Sequence, residues 1–220
     1  MLIAKDPESQ VVTPYGTPEW IRERIGYLTA SNMERAMKFL KGKNSKGEPI
    51  ESSERRKLKI QILAERIADS AVDHYVSDDM QHGLDTEPEA KKRYVQITGT
   101  HLVDGGFVKH PKIEFFGATP DAFISFDGLL EIKCPRTETH TSYLLDKKVP
   151  DQYRPQILAQ LACTGRRWAD FMSFDPRIPN QKLQSLIVRF QPDREEIEKV
   201  EAAAVQFLKE VEEMFEVINS

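Results

Sequence analysis

The sequence predicts an α/β domain in which a mixed central β-sheet is flanked by helices. Apolar residues follow a helical period through the N-terminal half of the chain and then alternate with the period of a β-strand. A long amphipathic segment closes the chain, and its apolar stripe is wide enough to pack on a sheet. Helices followed by strands that are interleaved with further helices are typical of a sheet covered on both faces.

The N-terminal half is predicted to be mainly helical. Apolar spacing and end signals predict helices that begin at Pro18, span residues 32–40 and 53–71, and begin at Thr86. Thr29 or Ser31 can cap the second of these helices. The last has a capping-box pattern with an early proline, Pro88. Residues 1–14 are expected to form an extended arm, and residues 41–49 a basic loop that contains glycines.

Alternating apolar residues predict the strands of the second half. The predicted strands are residues 102–108, 115–117, 121–126, 129–134, 169–174 and 183–190. A helix over residues 153–164 interrupts them and ends at Gly165. Asp193 and Glu196 form a capping box that opens the closing helix.

Composition excludes several classes of protein. The 220 residues are 40% hydrophobic and 30% charged, with no repeat or long linker, which favours one globular domain over residues 1–220. Cys134 and Cys163 are too few for a disulfide framework, a four-thiolate zinc site or a four-cysteine iron–sulfur cluster. The sequence has neither a membrane-length apolar run nor a signal-peptide pattern, so we expect a cytoplasmic protein without a membrane partner. A net charge of -4 means that any contact with nucleic acid is a local patch.

One pair of segments carries a charge pattern that a buried strand does not require. Alternation puts Glu131 and Lys133 on one face of their strand, with Leu130 and Ile132 on the other. A solvated edge strand with an ion pair is the commoner explanation of such a pattern. A catalytic explanation requires the carboxylate of Asp121, on the preceding strand, to join them.

The turn between the two strands decides whether the three charged groups meet. A two-residue turn at Asp127-Gly128 would put Asp121 on the face opposite Glu131 and Lys133. A three-residue loop of Phe126-Asp127-Gly128, with Gly128 left-handed, would bring Asp121 opposite Lys133. We predict the odd loop or an equivalent bulge, since two carboxylates could then hold Mg²⁺ while the lysine positions water or stabilises charge.

These residues resemble a known family. Pro120-Asp121 followed by Glu131-x-Lys133 matches the pattern of PD-(D/E)xK nucleases, and the surrounding sequence is similar to their lambda exonuclease branch, the YqaJ-like viral recombinases. The resemblance runs from about Trp20 to Pro176. It rests on four blocks in the same order: the segment from Trp20 to Ser31, Gly83-x-x-x-Glu87-x-x-Ala90, Thr119-Pro120-Asp121 with Glu131-Ile132-Lys133-Cys134-Pro135, and Tyr153-x-x-Gln156.

The resemblance implies a restriction-endonuclease-like core and an active site. It implies the catalytic residues Asp121, Glu131, Lys133, Glu87 and Gln156. The implied metal ligands are Asp121, Glu131, Glu87 and the backbone carbonyl of Ile132, holding two Mg²⁺ for which Mn²⁺ can substitute. The implied contacts with the DNA and its 5′-phosphate are Arg24, Ser31, Thr119, Thr29, Tyr153, Lys38, Lys41 and Lys43. Thr119 stands where lambda exonuclease has a serine, so a hydroxyl group is retained.

The activity implied by the resemblance is a 5′-to-3′ exonuclease on double-stranded DNA. Such an enzyme resects duplex ends to mononucleotides and leaves 3′ single-stranded tails for recombination. The implied partners are duplex DNA ends, a single-strand annealing protein and two further copies of the chain in a homotrimeric ring. A ring would let an acidic protein bind DNA, because positive charge need line only its channel.

The residues alone are also compatible with other functions. The chain could be another PD-(D/E)xK nuclease of restriction or CRISPR-associated type, a DNA-end binding module without activity, or an interaction protein. Structural roles also explain single residues. Glu87 can be an acid at a helix start, Arg24 a surface cation and Ser31 a helix cap. Gln156 shares a helix face with Tyr153 and Gln160, and that face can be a solvated polar one.

Overall fold

A computed structural model describes residue 13, residues 16–72 and residues 77–220 of the chain. The predicted arm at residues 1–14 lies outside the described residues apart from Thr13. The helices are α1 (Pro18–Arg24), α2 (Met33–Ala36), α3 (Ser53–Ala68), α4 (Asp78–Thr98), α5 (Thr137–Asp146), α6 (Arg154–Thr164) and α7 (Arg194–Asn219). Short 3₁₀ turns cover Ala30–Asn32, Asp151–Tyr153 and Gln181–Leu183. None of the helices in these ranges is long and apolar enough to cross a membrane.

The strands form one large mixed sheet and two small ones. They are β1 (Leu28–Thr29), β2 (Phe39–Lys43), β3 (Pro49–Glu51), β4 (Leu102–Asp104), β5 (Val108–Lys109), β6 (Phe116–Ala118), β7 (Ala122–Ile124), β8 (Gly128–Lys133), β9 (Trp168–Phe174) and β10 (Ser185–Phe190). The large sheet has the order β10-β9-β8-β7-β4, with β8 and β9 parallel and the other neighbours antiparallel. A smaller sheet has the order β1-β6-β5, and β2 pairs with β3 alone.

Apolar side chains cover both faces of the large sheet. Leu129 and Phe171 belong to the larger buried cluster, which α3, α6 and α7 complete. Leu130 and Ile132 belong to the second cluster, with Ala90 and Tyr94 of α4. Alternate residues of β8 therefore face different helices, as the period of a strand requires. This two-sided α/β architecture is the fold class predicted from the sequence.

The helix α7 packs as its apolar spacing predicts. Its N-terminus has the predicted capping box, in which Asp193 Oδ1 accepts a hydrogen bond from the backbone of Glu196 at 2.9 Å. Its buried residues are Val200, Ala204, Phe207, Leu208 and Val211. The spacing of these residues keeps them on one stripe against the core.

Two predictions about the N-terminal half are wrong. Residues 32–40 do not form one helix, because the helical turns end at Ala36 and the chain enters β2. Residues 41–49 are instead the body of a β2–β3 hairpin. Gly42 has a positive φ of 99° where the register shifts within β2, and Gly47 has a positive φ of 80° in the turn. The hairpin is exposed, so no apolar periodicity marks it.

The start of α4 was also predicted wrongly. The helix begins at Asp78, where Ser77 Oγ accepts the backbone N–H of Met80, and Pro88 lies inside it. Pro88 is exposed, so the loss of one backbone hydrogen bond falls on the solvent side. Proline has a low helix propensity. The packing of Ala90 and Tyr94 on the sheet stabilises the helix in spite of it. Helix α5 was missed because its threonine-rich first turn is a weak helix former.

Candidate active site

The loop between β7 and β8 sets which side chains meet. Ile124 pairs with Gly128 and Phe123 with Leu129, so the loop is the three residues between Ile124 and Gly128. The predicted odd loop is confirmed, but its position is wrong by one residue and Gly128 is not left-handed. Ser125 adopts the positive φ instead, at 48°. Continued along the strands, this register places Asp121 opposite Glu131 rather than Lys133.

Buried contacts explain why the loop takes this position. Arg166 donates hydrogen bonds from Nη1 to the carbonyls of Ser125 and Gly128, each at 2.9 Å. A Cβ on Gly128 would lie 2.3 Å from ring carbons of Trp168, so this position requires glycine for space. Glycine is used here for close packing and not for a turn.

The carboxylate of Asp121 lies where β7 and β8 separate. Its Oδ2 accepts the backbone N–H of Ile132 at 2.6 Å, taking the place of a bond between the strands. Burial raises the pKa of Asp121 well above its usual range, and the charges of Glu131 and Glu87 add to this rise. The site therefore concentrates more negative charge than its own cations balance.

Glu131 is the most enclosed acid of the site, with 1% of its surface exposed. Gln156 and Gln160 donate from Nε2 to Oε1 and Oε2 respectively, each at 2.6 Å. The ammonium of Lys133 lies 2.6 Å from Oε1. Each carboxylate oxygen therefore accepts a hydrogen bond from α6, and Oε1 also contacts the lysine of the same strand.

Lys133 is kept in its charged form. Burial alone would lower its pKa, but the neighbouring charges of Glu131 and Asp121 raise the pKa above the usual value for lysine. Its Nζ lies 5.0 Å from the ring centroid of Tyr153, a favourable position for a cation. Tyr153 in turn stacks on Phe171 with ring centroids 5.6 Å apart. Tyr153 therefore forms one wall of the site.

Glu87 approaches from α4, which covers the other face of the sheet. Its Oε1 pairs with Lys91 Nζ at 3.0 Å, and Lys91 also contacts Asp104 of β4 at 3.0 Å. The charge of Glu87 contributes to the raised pKa of Asp121 and also to that of Cys134, which burial raises to about 12. The thiol of Cys134 is therefore protonated and is a poor metal ligand.

The donor chemistry of the site fits a hard divalent cation. Asp121, Glu131 and Glu87 offer carboxylate oxygens, the ligand type that Mg²⁺ prefers, and a cation would relieve their mutual repulsion. Within the described ranges, no group of three or more His, Cys, Asp and Glu side chains is assembled closely enough to hold a metal by itself. Mg²⁺ usually keeps several waters and takes one or two carboxylates, so a complete protein cage is not required. Within the described part of the chain, no side-chain contact assigns a role to the carbonyl of Ile132.

Three hydroxyl residues follow one another at the end of a parallel strand pair. Thr29 pairs with Gly117 in parallel β1 and β6, so Ser31 and Thr119 follow at the same edge. Thr29 Oγ1 lies 3.1 Å from Ser31 Oγ and makes no cap hydrogen bond. Ser31 lies inside the 3₁₀ turn and Asn32 is the N-cap residue of α2, so the predicted capping by Thr29 or Ser31 is wrong. Thr119 Oγ1 is buried and has no hydrogen-bond partner in the described part of the chain.

The predicted basic contacts differ in how they are held. The guanidinium of Arg24 lies 3.8 Å from the ring centroid of Trp20. Lys38 is paired with Glu54 at 2.5 Å and with Glu34 at 3.9 Å. Lys41 and Lys43 lie on the exposed strand β2 and make no ion pair with any residue that the structure describes. These two lysines are therefore the more available to a polyanion.

Sequence reasoning missed the role of Gln160. We expected Gln156 and Gln160 to share a polar face, with solvent as the ordinary environment of that face. Gln160 is instead fully buried and bound to Glu131. The available signal was the spacing, since residues four apart on a helix reach the same neighbour.

Comparisons with known proteins bear on the family and the fold. A profile of the YqaJ-like viral recombinase domain matches residues 19–167. The alkaline exonuclease LHK-Exo from Laribacter hongkongensis has a TM-score of 0.82 at 32% identity, over 92% of this chain and 96% of that chain. Its complex with dAMP gives the same score and coverage at 33% identity.

A more distant structure supports the fold alone. The phage-related exonuclease from Haemophilus somnus 129PT has a TM-score of 0.69 at 15% identity, over 87% of this chain and 96% of that chain. A comparison with curated protein sequences finds no significant match. The predicted α/β fold with a PD-(D/E)xK nuclease core is therefore confirmed by the structural neighbours.

Proposed function

Because this chain belongs to the YqaJ-like viral recombinase family, we propose that it is a Mg²⁺-dependent exonuclease acting on duplex DNA ends. In this proposal it degrades the 5′-ended strand to mononucleotides and leaves 3′ single-stranded tails. Those tails are the substrates of a single-strand annealing protein. The similarity to an alkaline exonuclease over nearly the whole of both chains supports this proposal.

One observation carries the proposal. Asp121, Glu131 and Lys133 meet where β7 and β8 separate, with the Lys133 ammonium 2.6 Å from Glu131 and the Asp121 carboxylate bound to the backbone of Ile132. A solvated edge strand would not bury Glu131 or surround it with two amide donors. Buried charges that are this densely placed are typical of a catalytic site.

The residues have separate tasks in this proposal. Asp121 and Glu131 would hold Mg²⁺, with Glu87 as a further carboxylate and the carbonyl of Ile132 as an additional oxygen, and a pair of ions can share these ligands. When bound, Mg²⁺ supplies charge that polarises the scissile phosphate and activates water, and Mn²⁺ can substitute. The Lys133 ammonium stabilises negative charge on the phosphate or orients the attacking water. Gln156 holds Glu131 in place from α6.

The test of this proposal is digestion of end-labelled linear duplex DNA. We expect mononucleotides to be released in Mg²⁺ and none in the presence of a chelator. Lys133→Ala should lower the rate by at least about a hundredfold, since it removes a charged group that acts directly on the reaction. Lys199→Ala is the matched control, because that lysine is exposed on α7 and pairs with Glu195 on the same helix.

The position of the end label and the form of the DNA distinguish a 5′-to-3′ exonuclease from an endonuclease and from a non-catalytic module. A 5′ label should appear in mononucleotides before a 3′ label does, and a supercoiled circle without ends should stay intact. Cleavage of the circle would instead favour an endonuclease. Binding of DNA ends without hydrolysis in any metal would favour a non-catalytic module.

We also propose that Arg24, Ser31 and Thr119 bind the 5′-phosphate of the DNA end, with Thr29 as their neighbour. The parallel pairing of Thr29 with Gly117 supports this, because both hydroxyl residues follow at one edge. The buried Thr119 Oγ1 offers an unused hydrogen bond within the described residues. A guanidinium with hydroxyl groups is well suited to a phosphate.

This pocket makes the nature of the 5′ end important. Removing the 5′-phosphate should slow digestion by the unmodified enzyme by about tenfold or more, the loss of one or two charge-assisted hydrogen bonds. Arg24→Ala should be slower on phosphorylated ends and should discriminate less between the two ends. Initial rates on matched substrates with and without the phosphate measure this. Equal rates of the unmodified enzyme on both substrates would contradict the pocket.

A further inference from the structure

Gln160 is a buried polar residue whose position packing alone does not explain. Its side chain is fully buried, and its neighbours Ile157 and Leu161 belong to the apolar core. Its Nε2 donates to Glu131 Oε2 at 2.6 Å, while its Oε1 is buried with no hydrogen-bond partner among the described residues. An unpartnered amide oxygen destabilises a core, so an apolar residue would serve packing better.

The chemistry of the contact determines how the amide is turned. An ionised carboxylate only accepts hydrogen bonds, so Gln160 must present its NH₂ group to Glu131. The amide oxygen is then directed away from Glu131 and lacks a donor. Gln160 therefore holds one oxygen of Glu131 through its NH₂ group, while its own amide oxygen goes without a hydrogen bond within the described residues.

The two oxygens of Glu131 lie in different surroundings. Oε1 contacts Gln156 and Lys133, whose side chains are both partly exposed. Oε2 contacts Gln160, which is completely enclosed. Oε1 is therefore the outer oxygen, on the side from which a cation and a phosphate can approach, and Oε2 is the inner one.

We propose that Gln160 is a positioning residue that anchors the inner oxygen of Glu131 and so directs the outer oxygen toward the cation. This inference rests on the proposed metal-dependent function. A carboxylate held at one oxygen cannot rotate freely about its terminal bond, so its other oxygen keeps one direction. Hydrogen bonds that orient metal ligands in this way commonly change metal affinity by about 10- to 100-fold when they are removed.

The experiment measures metal binding directly, without DNA and without turnover. Mn²⁺ is titrated into the full-length protein and followed by the electron paramagnetic resonance signal of the free ion. Gln160→Met keeps the length of the side chain but has no N–H donor, and we expect its Mn²⁺ affinity to fall about tenfold. Leu161→Met is the matched control, since it is a buried substitution of similar volume in the same helix and removes no hydrogen-bond donor from Glu131.

Two further measurements distinguish positioning from a general structural effect. The Mg²⁺ concentration for half-maximal digestion should rise in Gln160→Met by the same factor as the Mn²⁺ dissociation constant. Its affinity for duplex ends in a chelator should equal that of the unmodified protein. Gln160→Asn is a second variant, because its amide is one methylene too short to reach Glu131.

Each outcome either supports or overturns an idea. If the unmodified protein binds no Mn²⁺ and digests no DNA in any metal, the proposed function fails. If it binds Mn²⁺ and Gln160→Met binds with the same affinity, only the positioning role fails. If neither variant folds, as judged by circular dichroism, Gln160 is structural and the positioning role is overturned.

Discussion

Asp121 is the residue at which the charge of the site is least balanced. Its carboxylate accepts one backbone hydrogen bond, while burial and the charges of Glu131 and Glu87 raise its pKa. Lys133 acts in the opposite direction, but its ammonium is engaged with Glu131. A cation and a proton therefore compete for Asp121, and metal binding should strengthen as the pH rises and Asp121 loses its proton.

Asp121→Asn should abolish cleavage and yet stabilise the metal-free protein. The folded pKa of Asp121 lies above its unfolded value, so the folded state binds more protons, and stability falls as the pH rises from the ordinary range of aspartate through the folded pKa. The neutral amide of Asp121→Asn does not ionise, so the variant does not lose this stability as the pH rises. At neutral pH in a chelator we expect Tm to rise by about 2–4 °C, equivalent to about 1 kcal/mol, with a smaller difference in acid.

Asp175 provides the matched control for this measurement. Burial alone would raise the pKa of Asp175, but hydrogen bonds from Arg177 and Thr137 lower it below its usual value. Asp175→Asn should therefore lower Tm at neutral pH, opposite to Asp121→Asn. A lower Tm for both variants at neutral pH would contradict the charge imbalance at Asp121.

At the scale of elements, we propose the exposed β2–β3 hairpin as a contact surface for the DNA backbone. It follows α2 directly and so extends from the Ser31 segment. Its tip is closed by Asn44, whose Oδ1 accepts the backbone N–H groups of Lys46 and Glu48 at 2.9 and 3.0 Å. Lys41 and Lys43 therefore lie on a strand whose backbone is already ordered. Little backbone entropy would be lost when these lysines bind a phosphate.

Replacing both Lys41 and Lys43 with alanine should weaken the binding of duplex DNA. Each lost phosphate contact should make the slope of log affinity against log salt concentration less steep by about 0.9. Fluorescence anisotropy in a chelator, at several salt concentrations, measures both quantities. Lys38→Ala should have a smaller effect, because its ammonium is already paired with Glu54 at 2.5 Å. An unchanged slope in the double variant would remove the hairpin from the DNA interface.

At the scale of the whole molecule, the net charge of the protein has the same sign as that of its proposed substrate. The net charge is -4, although the proposed substrate is a polyanion. Binding must then depend on the placement of cations, and a ring of three chains that encloses the DNA would place them together. We propose that this chain forms such a ring.

Sedimentation velocity tests the ring directly. We expect a species of three times 25.2 kDa at working concentration in moderate salt. Longer duplexes should also be digested many nucleotides per encounter, because an enclosing ring slows dissociation. A single 25.2 kDa species at all concentrations would contradict the homotrimer.

The fold and the site were predictable to different extents. The strand β8 and the helix α7 follow from their apolar periods, and the odd loop follows from the need to bring Asp121 to the face of Glu131. The hairpin at residues 41–49 did not follow, because an exposed strand has no buried face to produce a pattern. The start of α4 did not follow either, since Pro88 and the Thr86 pattern imitate a helix start inside a longer helix.

The sequence alone determined the fold class and the capped closing helix, through the periodicity of its apolar residues. It also identified Asp121, Glu131 and Lys133 as the candidate site residues. Only the tertiary structure decided that Asp121 lies opposite Glu131, that Ser125 makes the turn, and that Gln160 holds Glu131 from inside the core. The physical reason is distance along the chain. Periodicity reports which face of an element is buried, whereas Arg166 and Trp168, about forty residues beyond the loop, set the register through contacts that no local pattern records.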